Sequence, residues 1–235
     1  MDLEYPRFAW CGDGCLFVEF GDGIDLTINS MVRALGRDIN SLAPGWLVET
    51  VPTYRSLAIY IDPWESPREE VEELVRSICQ SLEPGPVQAG PVLEIPVCYG
   101  GEFGPDMERV SEHTGLSPED VVAIHSGSCY HVFMMGFTPG FPYLGGMDRR
   151  LETPRLPSPR TVIPEGSVGI AGKQTGIYPI PSPGGWNLVG RTPLRLFDHE
   201  REVPFLLEAG MNIVFVPISA KTFETILSER GSTGL

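Results

Sequence analysis

The sequence predicts a small α+β domain followed by an antiparallel β-barrel or sandwich. Three observations point there. In the first 85 residues two amphipathic helical segments alternate with short apolar strands in the order β-α-β-β-α. The stretch EPGPVQAGP (83–91) then places three prolines and two glycines between two periodic segments. Beyond it, short apolar runs alternate with Gly/Pro turns as far as residue 218. The expected division is residues 1–85, a linker at 86–91, and residues 92–235.

CLFVEF (15–20) reads as the first strand. The next segment carries Ile28, Met31, Val32, Leu35, Ile39 and Leu42 at helical spacing and is closed by Pro44 and Gly45. WLVETV and RSLAIYI are two strands separated by a short turn at Pro52. SPREEVEELVRSICQSLEPG is the clearest helix, with Ser66 as N-cap, Pro67 at N1 and Glu69 at N3 of a capping box. After the linker, VLEIPVCY is a strand, and SPEDVVAIHSG a short helix capped by Ser117 with Pro118 at N1. The apolar runs YHVFMM, SVGIA, TGIYPI, WNLVG, LRLF and MNIVFVPI follow as strands, and AKTFETILSER as a final helix. Phe141-Pro142 and Ser182-Pro183 are the tight turns where a cis X-Pro bond is expected.

Composition narrows the function. The chain of 235 residues carries 31 acidic and 17 basic residues, a net charge of −14. That balance argues against nucleic acid or an anionic membrane as partner. The N-terminus shows no signal-peptide pattern, and no stretch is apolar enough to span a bilayer. Five scattered cysteines (Cys11, Cys15, Cys79, Cys98, Cys129) complete no metal motif and read as reduced thiols. A cytoplasmic protein without a metal site is the expectation.

Residues 136–193 hold 10 prolines and 11 glycines among 58 positions, yet also Phe137, Phe141, Tyr143, Tyr178 and Trp186. Disordered segments are poor in such side chains, so ordered loops between strands are expected. The window has six bases against three acids inside an acidic chain, which favours an anionic ligand or an acidic partner surface. Each arginine could instead pair with a surface acid, and each aromatic could be core. GIAGKQT (169–175) lacks the glycine spacing and the hydroxyl of a phosphate loop. Cys129 and His131 share a strand face with no acidic orienter near them, so they read as packed strand residues. His125 ends a helix just before the strand that leads to the aromatic loop. It is either a helix cap or a site residue.

The segment MGFTPGFPYLGGMDRRLETPRLPSPRTVIPEGSVGIAGKQTGIYPIPSPGGWNLVGRTP resembles the 5-oxoprolinase B-subunit family, the KipI family, also called allophanate hydrolase subunit 1. The patterns G-F-x-P-G-F-P-Y-L, P-x-G-S-V-x-I-A-G-x-Q-T-G-I-Y-P and S-P-G-G-W-x-x-[ILV]-G-R-T-P follow in order. GDGCLFVEFGDGID and VPTYRSLAIYIDP extend the resemblance to the N-terminal part, so it covers essentially the whole chain. Cys15 stands where alanine is usual, and Met211 where an Asp is usual. The resemblance implies an α+β N-terminal domain followed by a cyclophilin-like, mainly antiparallel β-barrel. It also implies a non-autonomous component that acts with subunits A and C to open 5-oxoproline to glutamate using ATP. The ATP site is not assigned to this chain. A KipI-like inhibitor of a sensor histidine kinase is the alternative, and a similar unit in urea carboxylase forms part of a carboxyltransferase domain. On charge and position, Arg155, Arg160 and Arg191 are the expected anion contacts, with Phe141, Tyr143, Tyr178 and Trp186 as walls and His125 beside them. Gly140, Gly184 and Gly185 are expected to bring backbone N–H groups close to an anion. The sequence assigns no catalytic residue.

Overall fold

The computed structural model of the protein describes residues 4–83 and 92–233. The linker expected at 86–91 lies outside the described residues. The chain divides into two compact units, Met1–Ala89 and Gly90–Leu235.

The first unit is a four-stranded antiparallel sheet in the order β1-β2-β4-β3, from β1 (Arg7–Trp10), β2 (Cys15–Glu19), β3 (Leu47–Pro52) and β4 (Ser56–Ile61). Helix α1 (Leu26–Leu42) starts where the Asp25 carboxylate accepts from the Thr27 and Ile28 amides, and ends on Ala43 in a left-handed conformation. Its Val32, Leu35 and Ile39 pack on Leu16, Val18, Leu57 and Ile59. Fully burying each such aliphatic side chain stabilises the fold by about 1.5–3 kcal/mol. Leu42, counted in the helical stripe, faces solvent.

Helix α2 (Arg68–Gln80) corrects the expected capping box: Pro67, not Ser66, occupies the N-cap position. Ser66 therefore lies one residue too early to reach the first-turn amides, and its hydroxyl donates to Glu70 Oε2 at 3.1 Å. Strand β1 was not expected from the sequence. Its Phe8 and Trp10 lie under the guanidinium groups of Arg76 (3.8 Å) and Arg68 (5.0 Å), and Trp10 Nε1 donates to Glu72 at 2.9 Å.

The second unit is a closed barrel in the order β10-β7-β6-β13-β5-β12-β9. Its strands are β5 (Val92–Tyr99), β6 (Cys129–Met135), β7 (Pro142–Gly145), β9 (Ser167–Ala171), β10 (Gln174–Ile177), β12 (Asn187–Arg191) and β13 (Asn212–Pro217). All neighbours are antiparallel except β5 and β13. This matches the expected fold class of an α+β domain followed by a mainly antiparallel barrel. A separate ribbon pairs β8 (Arg160–Ile163) with β11 (Ser182–Gly184). Three helices complete the unit: α3 (Met107–Thr114), α4 (Pro118–Ser126), where Ser117 accepts from the Asp120 amide as expected, and α5 (Ala220–Thr233).

Three expectations change here. LRLF is not a strand; Phe197 makes a single bridge to Phe205. Among the described residues the cis X-Pro bond is at Tyr5-Pro6, whereas Pro142 and Pro183 lie in extended strands with trans bonds. His125 is a core residue with no exposed surface.

The ring of His125 stacks on Phe215 at 4.5 Å, its Nδ1 meets the Tyr99 hydroxyl at 2.8 Å, and its Nε2 meets Thr175 Oγ1 at 3.0 Å. Thr175 uses its own proton on the Gly169 carbonyl. The threonine oxygen therefore accepts from Nε2–H, and Tyr99 donates to Nδ1. Burial drives the imidazole down to about 3. Below its ordinary 6.5 the unfolded chain binds a proton that the native chain refuses, so stability is full above pH 6.5 and falls as pH drops. We expect this residue to cost about 2 kcal/mol between pH 7.5 and 5. Urea unfolding at both pH values should show that loss in the native protein and a smaller one in His125→Gln.

Candidate functional site

The aromatic Gly/Pro segment folds into the wall of a cavity of about 330 Å³. Strand β7 carries Tyr143, Tyr178 follows β10 directly, and Trp186 precedes β12. Their rings meet edge to face around Phe141: to Tyr143 at 5.2 Å, Tyr178 at 5.3 Å and Trp186 at 5.5 Å. Perpendicular contacts of this kind contribute about 0.5–1.5 kcal/mol each beyond burial. Gly184 lets the β11 backbone close on this cluster, because a Cβ there would collide with the Tyr178 hydroxyl and Ile163. Gly185 lines the cavity too, and its carbonyl accepts from the Leu156 amide at 2.7 Å.

The sequence did not assign Phe137, Pro159 or Pro183 to the site, yet all three line it. Phe137 is 60% exposed, holds a positive φ of 65° and packs edge-on against Phe141 at 5.5 Å. Such a conformation in a bulky residue is not readable from the motif.

The three expected anion contacts separate. Arg155 lines the cavity and makes no ion pair among the described residues. Arg160 does not line it. Its Nη2 donates to Asp106 Oδ1 at 2.7 Å, and Asp106 Oδ2 accepts from the Leu188 amide at 2.7 Å. Arg191 is further removed: its Nε donates to the Glu165 carbonyl at 2.7 Å and its guanidinium lies 5.9 Å from the Phe223 ring centroid. His125 is excluded from the cavity by its place in the barrel core, with both nitrogens engaged by protein groups. Gly140, at φ +82°, sits in the loop beneath the wall, against Phe197 and Pro179, rather than on the cavity surface.

The result is a flat-walled aromatic box with one uncompensated guanidinium at its edge. No carboxylate is among the side chains that line it. Burial pushes the Tyr178 phenol up to about 12, with Arg155 the stronger and Arg160 the weaker of two opposing cations. Among the described residues no group of three or more His, Cys, Asp or Glu side chains is placed to hold a metal ion. No helix among them is long and apolar enough to cross a membrane.

Residues 6–207 match the family described as carboxyltransferase domain, subdomain C and D. The 5-oxoprolinase B subunit of Bacillus subtilis is 43% identical, covering 97% of this chain and 99% of its own. The chain belongs to the 5-oxoprolinase B-subunit family. The Escherichia coli O157:H7 member is 44% identical over 92% of this chain and 97% of its own. The crystal structure of TTHA0988 is 38% identical, with a TM-score of 0.79, and overlays 88% of this chain. This chain spans 40% of that longer one.

Within the family fold, Arg155 and Arg160 thus have different physical duties. We expect Arg160→Ala to cost about 1–3 kcal/mol, because it strips the buried Asp106 carboxylate of its cation. Arg155→Ala should stay within about 0.5 kcal/mol of the parent. Chemical denaturation of the two variants side by side checks the contrast.

Proposed function

We propose that this chain is the B component of an ATP-dependent 5-oxoprolinase, acting with subunits A and C to open 5-oxoproline to glutamate. The observation that carries the reading is the end-to-end likeness to relatives named as the B subunit of 5-oxoprolinase. The cavity is chemically compatible with that substrate. A five-membered lactam is a small flat ring bearing one carboxylate. The faces and edges of Phe141, Tyr143 and Trp186 suit the ring. Arg155 offers a planar fork of donors that matches the carboxylate.

Opening the lactam breaks its C–N bond. Water supplies the oxygen of the new carboxylate and the amine takes up the proton. Amide resonance resists this, which is where ATP enters when the complex is assembled. A triphosphate carries several negative charges, and the cavity presents one uncompensated guanidinium, so we assign the nucleotide to another component of the complex. This chain's part is to hold the lactam flat and pair its carboxylate, so that the ring carbonyl is presented in one orientation. All five cysteines are free thiols, in keeping with a cytoplasmic location.

The test is reconstitution with subunits A and C and measurement of 5-oxoproline-dependent ADP release. Turnover should require this chain; equal turnover without it overturns the reading. Arg155→Ala in the same complex should raise KM for 5-oxoproline by about 10- to 100-fold, the effect of losing a charge-assisted contact.

A further inference from the structure

Tyr178 is built into the cavity wall with unusual care for a side chain whose ring alone would be filler. Its backbone is tied on both sides: its amide donates to the Ser167 carbonyl at 2.9 Å, and its carbonyl accepts from the Gly166 amide at 2.7 Å. Phe141 and Trp186 hold the ring edge-on at 5.3 and 6.3 Å. The side chain is only 1% exposed. Its hydroxyl lies where a Cβ on the cavity-lining Gly184 would collide with it, which places the oxygen at the cavity wall.

A buried hydroxyl proton in a folded protein is almost always given to an acceptor. The backbone N–H of Trp186 lies close enough to the Tyr178 oxygen to favour its charged form, and as an N–H it offers that hydroxyl no acceptor. Among the described residues no acceptor meets that proton. The positive charges of Arg155 and Arg160 favour the ionised phenol, and a guanidinium offers no acceptor for its proton. Burial outweighs them, so the phenol keeps its proton at neutral pH. The hydroxyl stands at the cavity wall, so water or a ligand in the cavity is placed to supply its acceptor.

We propose that the Tyr178 hydroxyl is the hydrogen-bond donor to the carbonyl oxygen of the cavity's ligand, and so makes the site select cyclic amides over neutral rings that lack a carbonyl. This rests on the 5-oxoprolinase reading for the identity of the lactam, but not for the existence of the donor. As the carbonyl carbon is attacked, charge gathers on its oxygen, and a fixed donor in a site shielded from water strengthens with it. Tyr178 keeps its proton throughout; no transfer is required. With Arg155 on the carboxylate and Tyr178 on the carbonyl, the ring is fixed at both ends.

Tyr178→Phe deletes the hydroxyl and keeps the ring, and should leave the melting temperature close to that of the parent. In the reconstituted complex, kcat for 5-oxoproline should fall about tenfold or more. Binding to the full chain, followed by NMR titration, adds a second readout. The parent should bind 2-pyrrolidone about tenfold more tightly than cyclopentane, a neutral ring with no carbonyl, and Tyr178→Phe should lose that preference. If the variant keeps both turnover and preference, the proposal is overturned while the 5-oxoprolinase reading stands. If the parent complex leaves 5-oxoproline untouched, that reading fails, and the titration alone decides: a preference lost in the variant sustains the donor, a preference retained or never present overturns it.

Discussion

The carboxylate of Asp106 is the interaction on which the site depends. Strand β12 carries a bulge between Leu188 and Gly190, and its pairing with β5 begins only at Gly190, which leaves the Leu188 amide without a partner from β5. Asp106 Oδ2 accepts that amide, its own amide donates to the Leu188 carbonyl at 2.9 Å, and its other oxygen takes Arg160 from the β8–β11 ribbon. One side chain at the start of α3 thereby fixes a barrel strand and the flap that faces it. At 7% exposure the charge would be costly alone, and it is compensated by a cation and an amide at 2.7 Å each. One residue before Leu188, Asn187 repeats the device. Its amide donates to the Pro154 and Ile170 carbonyls, and its oxygen accepts from Arg109 of α3. Trp186 and Arg155 both sit one residue away from atoms pinned by that seam.

Rigidity at the seam lets the other side of the cavity carry strain. The turn from Gly136 to Phe141 is closed by three backbone hydrogen bonds, and within it Phe137 is held at a positive φ with its ring largely in water. A bulky residue in that region costs of order 1–3 kcal/mol and persists only where the surroundings leave no alternative. The strain lies at the mouth, while Phe141, Tyr178 and Trp186 behind it are almost fully buried. The site therefore combines a stiff floor with an exposed rim.

Much of this was legible in the residues, for identifiable reasons. Runs such as VLEIPVCY and SVGIA announce strands because their apolar length and β-branched content leave few other options, and Ser117-Pro118 announces a helix start because both act locally. The missed elements depend on tertiary partners. Strand β7 opens on Pro142 and ends on Gly145, and β11 is Ser182–Gly184; both are extended only because a neighbour supplies the ladder. Strand β1 is extended along β2, with the guanidinium groups of α2 over its aromatics. Seven of the expected site residues do meet at one cavity, because the aromatics and glycines share a segment that can fold only as a wall. His125, Arg160 and Arg191 lie off that cavity for a common reason: a titratable side chain is placed by its partner, and Thr175, Asp106 and Glu165 are 50, 54 and 26 positions away.

The same point changes the meaning of the basic window. Its excess of arginine over acid looked like a field aimed at an anion. In the folded chain Arg150 is paired with Asp148, Arg160 with Asp106, and Arg191 with the Glu165 carbonyl. Much of the positive charge is thus structural, and Arg155 is the base of the window that reaches the cavity without an ion-pair partner. A single cation against neutral aromatic walls discriminates by geometry more than by field. A monoanion whose carboxylate is fixed relative to a flat ring fits it, whereas a polyanion would leave charge uncompensated in a largely apolar box. That selectivity is consistent with a component that presents one small substrate while a partner handles phosphoryl groups. Under the proposed 5-oxoprolinase reading, substrate and nucleotide are recognised on different polypeptides, and assembly is the condition for turnover.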